Sequence, residues 1–145
     1  MLDKLMNFLK HEEHLLSELV ELAAKQQIAL VKFDMRMLEE VSKFQEAVAN
    51  SLRESEDKRI RFLMSKLGCG RAAAADIRLS QLEKYFEGDE LMEVKILRKK
   101  LKNLLDRLQD LNTSNRVLAN RARSGVAEAL SLFTNGRQNV CNVRI

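Results

Sequence analysis

The chain has 145 residues and a formal net charge of +4, with no proline, five glycines and 5% aromatic residues. This length allows one domain and is short for an enzyme built around a deep pocket, while the composition favours an all-α fold with long, uninterrupted helices. Residues 1–57 hold 12 acidic and 7 basic side chains (net −5) and residues 58–145 hold 9 and 18 (net +9), which indicates either an acidic hairpin packed on a basic helix or an anionic partner.

Two long amphipathic helices are predicted in the first half of the chain. Helix 1 runs from Leu2 to about Val31 and helix 2 from about Met35 to Leu67, because apolar residues recur at helical spacing over both ranges. Asp34 is placed to cap the start of the second helix, and Gly68 to end it in a left-handed conformation. The predicted apolar faces comprise Leu2, Leu5, Leu9, Leu16, Leu19, Ala23 and Leu30 in the first helix and Leu38, Val41, Phe44, Val48, Leu52, Phe62 and Leu63 in the second. The two helices are expected to pair as an antiparallel hairpin.

A short amphipathic helix over residues 71–86 is predicted to cross from this hairpin to the last helix. Its apolar positions are Ala75, Leu79, Leu82 and Phe86. Gly88 is expected to close the short helix and Asp89 to cap the start of the long one.

The third long helix, from about Glu90 to Thr134, carries an unbroken heptad pattern. The alternating three- and four-residue spacing places its positions on one side of a single helix. They are Val94, Leu97, Leu101, Leu104, Leu108, Leu111, Asn115, Leu118, Ala122, Gly125, Ala129 and Leu132. Such a stripe needs partner helices, so this helix is predicted to run back along the hairpin. Asn115 within the stripe and its neighbour Asn112 are predicted to set the register of that packing.

The C-terminal part of this helix is predicted to be a docking surface. The whole third helix is about 45 residues long, whereas the first and second helices are about 30 and 33. This difference leaves roughly 15 Å of the third helix uncovered at about 1.5 Å per residue. The apolar arc is widest there, and from Asn112 onward the chain carries five arginines against one acid, Glu128. The predicted partner-binding residues are Leu118, Ala119, Ala122, Val126, Ala129, Leu130 and Phe133. The alternative is self-association through the same face, as a homodimer or a coiled-coil structural protein.

These elements predict an all-α fold: an antiparallel helical bundle of three long helices plus one short helix, with a long C-terminal helix. Residues 1–137 are expected to form a single helical domain and residues 138–145 a frayed C-terminal tail. No segment approaches an 18-residue apolar run, and the N-terminus has no signal-peptide pattern. A cytoplasmic protein without membrane insertion is therefore expected.

No catalytic residue, cofactor or metal site is predicted. His11 and His14 lack the spacing of a zinc-protease motif, and the chain has no phosphate-binding glycine loop and no nucleophile elbow. The basic run from Lys95 to Arg107 spreads around the helix without interleaved aromatic residues. This pattern favours a solvated helix face over a nucleic-acid site, which is the weaker alternative.

Two groups of residues resemble the FlgN family of flagellar type III export chaperones. The N-terminal group is similar to the helix–turn–helix of that family: Glu13-His14-Leu15-Leu16, Leu19, Leu22, Gln27, Ala29-Leu30, the Phe33-Asp34 turn, Leu38 and Lys43. The C-terminal group is similar to its Leu-Asn-x-x-Asn-x-x-Leu segment and its aromatic-x-x-Gly close: Leu111-Asn112-Thr113-Ser114-Asn115-Arg116-Val117-Leu118 and Phe133-Thr134-Asn135-Gly136. The order and spacing of the motifs, over about residues 2–137, carry the resemblance.

The resemblance implies a cytosolic, ATP-independent chaperone. Members of this family bind the hook–filament junction proteins FlgK and FlgL through the C-terminal amphipathic helix and deliver them to the export gate protein FlhA. The chain departs from the family at Phe133, where a tyrosine is often found.

Overall fold

The structure is a computed structural model that describes residues 2–136, and the side chains of residues 3–133. The described part is 93% helical and contains no strand, which confirms the predicted fold class. Its elements are α1 (Leu2–Lys32), α2 (Met35–Leu67), α3 (Arg71–Asp76), α4 (Leu79–Leu82), a 3-10 helix (Glu83–Tyr85) and α5 (Gly88–Gly136). The predicted tail at residues 138–145 lies outside the described residues.

Both ends of α2 have the local chemistry that the sequence predicts. The backbone N–H of Met37 donates to a carboxylate oxygen of Asp34 at 3.1 Å. Gly68 has a φ of +63° and its N–H donates to the Met64 carbonyl at 3.0 Å. A left-handed residue at the end of a helix is least costly as glycine, so both helix boundaries are confirmed.

The connection between α2 and α5 differs from the single helix predicted over residues 71–86. It breaks at Ile77, whose backbone is extended, and continues as α4 and the 3-10 helix. The break changes which side chains face inward: Ala74 is buried and Ala75 is exposed. The long helix begins at Gly88, one residue before the predicted cap, and Asp89 lies in its first turn, where a negative charge interacts favourably with the helix dipole.

The main core lies at the end of the molecule that this connection closes. Its buried members are Leu5, Met6, Leu9, Phe62, Leu63, Ala74, Leu82, Phe86, Val94 and Leu97. These side chains come from every α-helix of the structure, so the long helices and the connector are fixed together there. Phe44, predicted on the apolar face of α2, is instead 61% exposed, because it lies toward the other end of α2, away from this core.

Helix α1 is the central element of the bundle. It packs along both α2 and α5, whereas α2 and α5 do not pack along one another. The predicted hairpin and returning helix are present, and beyond the main core the apolar stripe of α5 packs along α1 and not along α2. The extent of α1 therefore decides how much of α5 is covered.

A polar chain crosses the three long helices near the middle of α5. The Asn115 side chain is buried, and its Nδ2 atom donates to the Ala23 carbonyl at 2.9 Å and to Oε1 of Gln26 at 3.2 Å. The same Gln26 oxygen accepts a hydrogen bond from Nε2 of Gln45 at 3.0 Å. A shift of α5 along α1 would leave these buried polar groups unpaired, which costs about 1–3 kcal/mol for each group.

One ion pair lies inside the bundle. The Arg59 Nε atom donates to the two carboxylate oxygens of Glu12 at 3.1 and 3.0 Å, and Glu12 is only 5% exposed. Burial raises the pKa of Glu12 above its ordinary value of 4.5, and Arg59 opposes that shift without cancelling it. Ionisation of Glu12 is therefore harder in the folded chain than in the unfolded one.

The raised pKa of Glu12 predicts how the free energy of unfolding changes with pH. A carboxyl group whose pKa is raised by folding contributes most to stability while protonated, below pH 4.5, and loses that contribution as the pH rises through its folded pKa. The free energy of unfolding of the native chain, minus that of Glu12→Gln, is therefore expected to decrease as the pH rises from about 4.5, the unfolded pKa of a glutamate. Urea unfolding over a pH series measures this difference, and a difference that grows with pH would contradict the assignment.

The position of the core also predicts which leucines stabilise the fold. Leu63 is fully buried, so Leu63→Ala is expected to lower the free energy of unfolding by about 2–5 kcal/mol. Leu132→Ala is the matched control, because Leu132 is 75% exposed and its truncation should change stability by less than about 0.5 kcal/mol. Chemical denaturation followed by circular dichroism measures both values.

Candidate docking groove

The burial of the α5 stripe declines from one end of the helix to the other. Val94 and Leu97 are buried, the positions from Leu101 to Leu118 are half-buried except for buried Asn115, and Gly125 and the positions after it are exposed. The cause is the length of α1, which ends at Lys32, whereas α5 continues to Gly136. The predicted uncovered end of α5 is therefore present.

A groove forms where the end of the α1–α2 hairpin meets α5, and it is called here the hairpin-end groove. It encloses about 430 Å³, within the range of about 300–1,000 Å³ found for ligand sites. One wall consists of Leu30, Val31 and Phe33. The other wall belongs to α5 and consists of Leu118, Arg121, Ala122, Gly125, Val126 and Ala129. The small residues Ala122, Gly125 and Ala129 leave room for the side chains of an approaching partner.

The structure brings four of the seven predicted docking residues into this groove, namely Leu118, Ala122, Val126 and Ala129. The other three lie outside its lining. Ala119 is half-buried, while Leu130 and Phe133 are exposed. Of the two asparagines predicted to set the register, Asn115 is buried against α1 and Asn112 is exposed.

Five residues that line the groove are absent from the predicted docking set: Leu30, Val31, Phe33, Arg121 and Gly125. Phe33 has the most unusual backbone of the five. It is the only non-glycine residue with positive φ in the described chain, at 53°. Its N–H donates to the Leu30 carbonyl at 3.4 Å, and the N–H of Asp34 donates to the Ala29 carbonyl at 2.9 Å. This pair of hydrogen bonds is a Schellman motif, which normally has glycine at the left-handed position.

A phenylalanine in that conformation carries a backbone cost without compensating burial. A left-handed backbone costs an ordinary residue about 1–2 kcal/mol, and the Phe33 side chain is 65% exposed. Strain of this kind points to a role for the side chain other than stability. The signal in the sequence was the set of apolar residues at the turn, Val31, Phe33 and Met35, where polar residues are usual.

Basic residues lie on the α5 side of the hairpin-end groove. Arg121 lines it, and Arg116 and Arg123 are its neighbours in α5, against the single acid Glu128. None of these three arginines forms an ion pair within the part of the chain that the structure describes. The hairpin end has no such excess, since residues 25–40 contain three basic and three acidic side chains. The groove is thus apolar inside and basic along its α5 wall, which suits an amphipathic segment with an acidic flank.

The described residues offer no site for metal chemistry and no membrane span. Within residues 2–136, no three His, Cys, Asp or Glu side chains cluster closely enough to hold a metal ion. None of the helices in that range combines the length and apolar character that a lipid bilayer requires.

Comparison with known proteins identifies a family for this chain. Residues 1–143 match a protein family described as FlgN protein. No curated protein and no solved structure matches the chain. The match therefore covers nearly the whole chain, whereas the geometry of the groove comes from this structure alone.

The strained backbone of Phe33 predicts that one substitution at this position increases the stability of the fold. Phe33→Gly is expected to raise the free energy of unfolding by about 0.5–1 kcal/mol, because glycine adopts a positive φ without strain. Phe44→Gly is the matched control: Phe44 is similarly exposed but lies inside α2, where glycine is unfavourable, and its stability should fall. Urea denaturation of the two variants tests this, and a loss of stability in both would contradict the strain at Phe33.

Proposed function

The chain belongs to the FlgN family of flagellar export chaperones, and we propose that it binds the hook–filament junction proteins FlgK and FlgL in the hairpin-end groove. By covering their assembly-prone helical segments, it prevents premature assembly in the cytoplasm. It then delivers them to the flagellar type III export apparatus. The observation that carries this proposal is an apolar groove with a basic α5 wall beside the uncovered end of α5.

The client in this proposal docks as an amphipathic helix. A helix lying between Phe33 and Val126 would place its apolar face against the small residues of α5 and against Val31. Burial of four or five such side chains contributes about 8–12 kcal/mol before the costs of association and ordering are subtracted. The remainder corresponds to a dissociation constant between about micromolar and tens of nanomolar, which allows both capture and release.

Delivery is assigned to the part of α5 beyond the groove. Leu130 and Phe133 lie there, exposed and past the end of α1. We assign contact with the export gate protein FlhA to this segment, with the aromatic ring of Phe133 making the contact without the hydroxyl group that a tyrosine would supply. Occupation of the groove and contact with the gate then use adjacent stretches of one helix.

The family is a chaperone family and not a known enzyme family. We propose accordingly that the chain has no catalytic activity and acts without consuming ATP. The chaperone then prevents assembly through the free energy of client binding, and client release follows from competition at the export gate.

A single substitution in the groove tests the client site. Val126→Asp is expected to weaken the binding of the isolated C-terminal helical segments of FlgK and FlgL by about tenfold or more, because it places a charge in an apolar contact. Val117→Asp introduces the same change on the same helix at an exposed position outside the groove lining and should leave the affinity unchanged. Isothermal titration calorimetry measures both, with circular dichroism to establish that the variants are folded.

The alternative of a homodimer gives a different result in the same proteins. If the uncovered end of α5 pairs with a second copy, sedimentation will show a concentration-dependent dimer that Val126→Asp dissociates. Equal binding of the client segments by the native chain and by Val126→Asp would place the client site elsewhere.

A further inference from the structure

A second groove lies between α2 and α5, above α1 and next to the main core, whose Leu9 and Leu82 line it. It encloses about 360 Å³. Its walls include Leu52 of α2 and Leu101 and Leu105 of α5, its floor includes Leu16 of α1, and Leu79 closes the end toward the connector. We call it the α2–α5 groove. It shares no lining residue with the hairpin-end groove.

The polar groups on the floor of this groove are already satisfied. Glu12 and Arg59 line it, and their ion pair uses both carboxylate oxygens. The remaining surface is mostly leucine, and Leu105 is 53% exposed although it faces the groove. Glu56 of α2 also lines the groove, and it is exposed with no ion pair within the described residues. An occupant therefore gains by burying apolar side chains here, and the acid at Glu56 disfavours a second acid on the α2 side.

The α5 side of the groove is strongly basic. Residues 95–102 contain five Lys or Arg residues and no acid, and two of the five, Arg98 and Lys102, line the groove. Arg98 pairs with Glu83 at 2.9 Å, whereas Lys102 is exposed and forms no ion pair within the described residues. The basic run thus lies beside an apolar groove, which its spacing in the sequence did not reveal.

From this combination we infer that the α2–α5 groove binds a leucine-containing amphipathic helix whose flank toward α5 is acidic, supplied by a partner protein other than the client. Its apolar face would contact the leucines of the two walls. Its acidic flank would lie along Lys95, Lys99 and Lys102, which share one side of α5 at i, i+4 and i+7. Charge complementarity favours an acid on that flank because residues 95–102 contain none.

The two grooves are far enough apart to be occupied together. Lys102 and Gly125 are separated by 23 residues of one helix, which corresponds to about 35 Å. A chaperone with this geometry can hold a client at one end and a second protein near the other. The inference goes beyond the proposed function, because it does not depend on what binds at the hairpin end.

The test uses the full chain carrying Val126→Asp, so that the hairpin-end groove does not bind the probe. The probe is a synthetic helical peptide with a leucine face and glutamate flanks, and the comparison peptide has lysine in place of each glutamate. The glutamate peptide is expected to bind and the lysine peptide to bind at least about tenfold more weakly. Fluorescence anisotropy at low and physiological salt measures both affinities.

Three further substitutions locate the site. Leu105→Asp should weaken binding of the glutamate peptide about tenfold or more, and Lys102→Glu should weaken it several-fold, with a smaller effect at high salt. Lys100→Glu is the matched control, since it makes the same charge change on the same helix at an exposed residue outside the groove lining. Its affinity should stay close to that of the parent protein.

Four results would overturn the inference. Equal binding of the two peptides would show that the groove does not select an acidic partner. Normal binding by Leu105→Asp would show that the peptide binds outside this groove. Salt-dependent binding of a short DNA duplex, weakened equally by Lys100→Glu and Lys102→Glu, would make the basic run a phosphate-binding surface. A concentration-dependent dimer dissociated by Leu105→Asp would make a second copy the occupant. None of these results bears on client binding at the hairpin-end groove.

Discussion

The packing of α5 against α1 is the contact on which the rest of the structure depends. Helix α5 has no other long helix along its stripe, because α2 packs on a different face of α1. The Asn115 side chain fixes how far α5 extends past α1, since its hydrogen bonds to Ala23 and Gln26 are satisfied at only one register. With that register fixed, the difference in helix length appears entirely at the C-terminal end of α5.

The arrangement of α1 between two helices that do not pack on each other has a second consequence. A closed three-helix bundle would bury all the apolar residues of its seams, whereas here α2 and α5 diverge and leave a groove above α1. The same architecture therefore produces two apolar surfaces, one beyond the end of the hairpin and one between its second helix and α5. Both surfaces can stay open because the main core that stabilises the fold lies elsewhere, at the connector end.

The hairpin turn shows how stability and binding are divided between neighbouring residues. Asp34 stabilises the start of α2 by accepting a hydrogen bond from a free backbone N–H. Phe33, directly before it, adopts a conformation that favours glycine and exposes an aromatic ring. Asp34 supports the fold, while Phe33 combines backbone strain with an exposed aromatic ring, which the proposed function uses as an anchor.

The sequence by itself determined the elements of this protein. Helical spacing of leucines, the absence of proline, the cap at Asp34 and the glycine at position 68 are local features, and they predicted the bounds of α2 and the extended length of α5. The seven predicted docking residues also came from one helix, because a periodic pattern describes only the helix that carries it. At both ends of α2 local chemistry decides the conformation and the prediction agrees with the structure, whereas Asp89, predicted as a cap, lies inside the first turn of α5.

Only the tertiary structure decided which surfaces meet. The break at Ile77, the exposure of Phe44 and the contribution of Val31 and Phe33 to the groove depend on how α1, α2 and α5 are placed around one another. An apolar residue at helical spacing can face either of two neighbours or none, and its sequence position does not distinguish these outcomes. The physical reason is that burial is a property of the assembled helices, whereas spacing is a property of each helix alone.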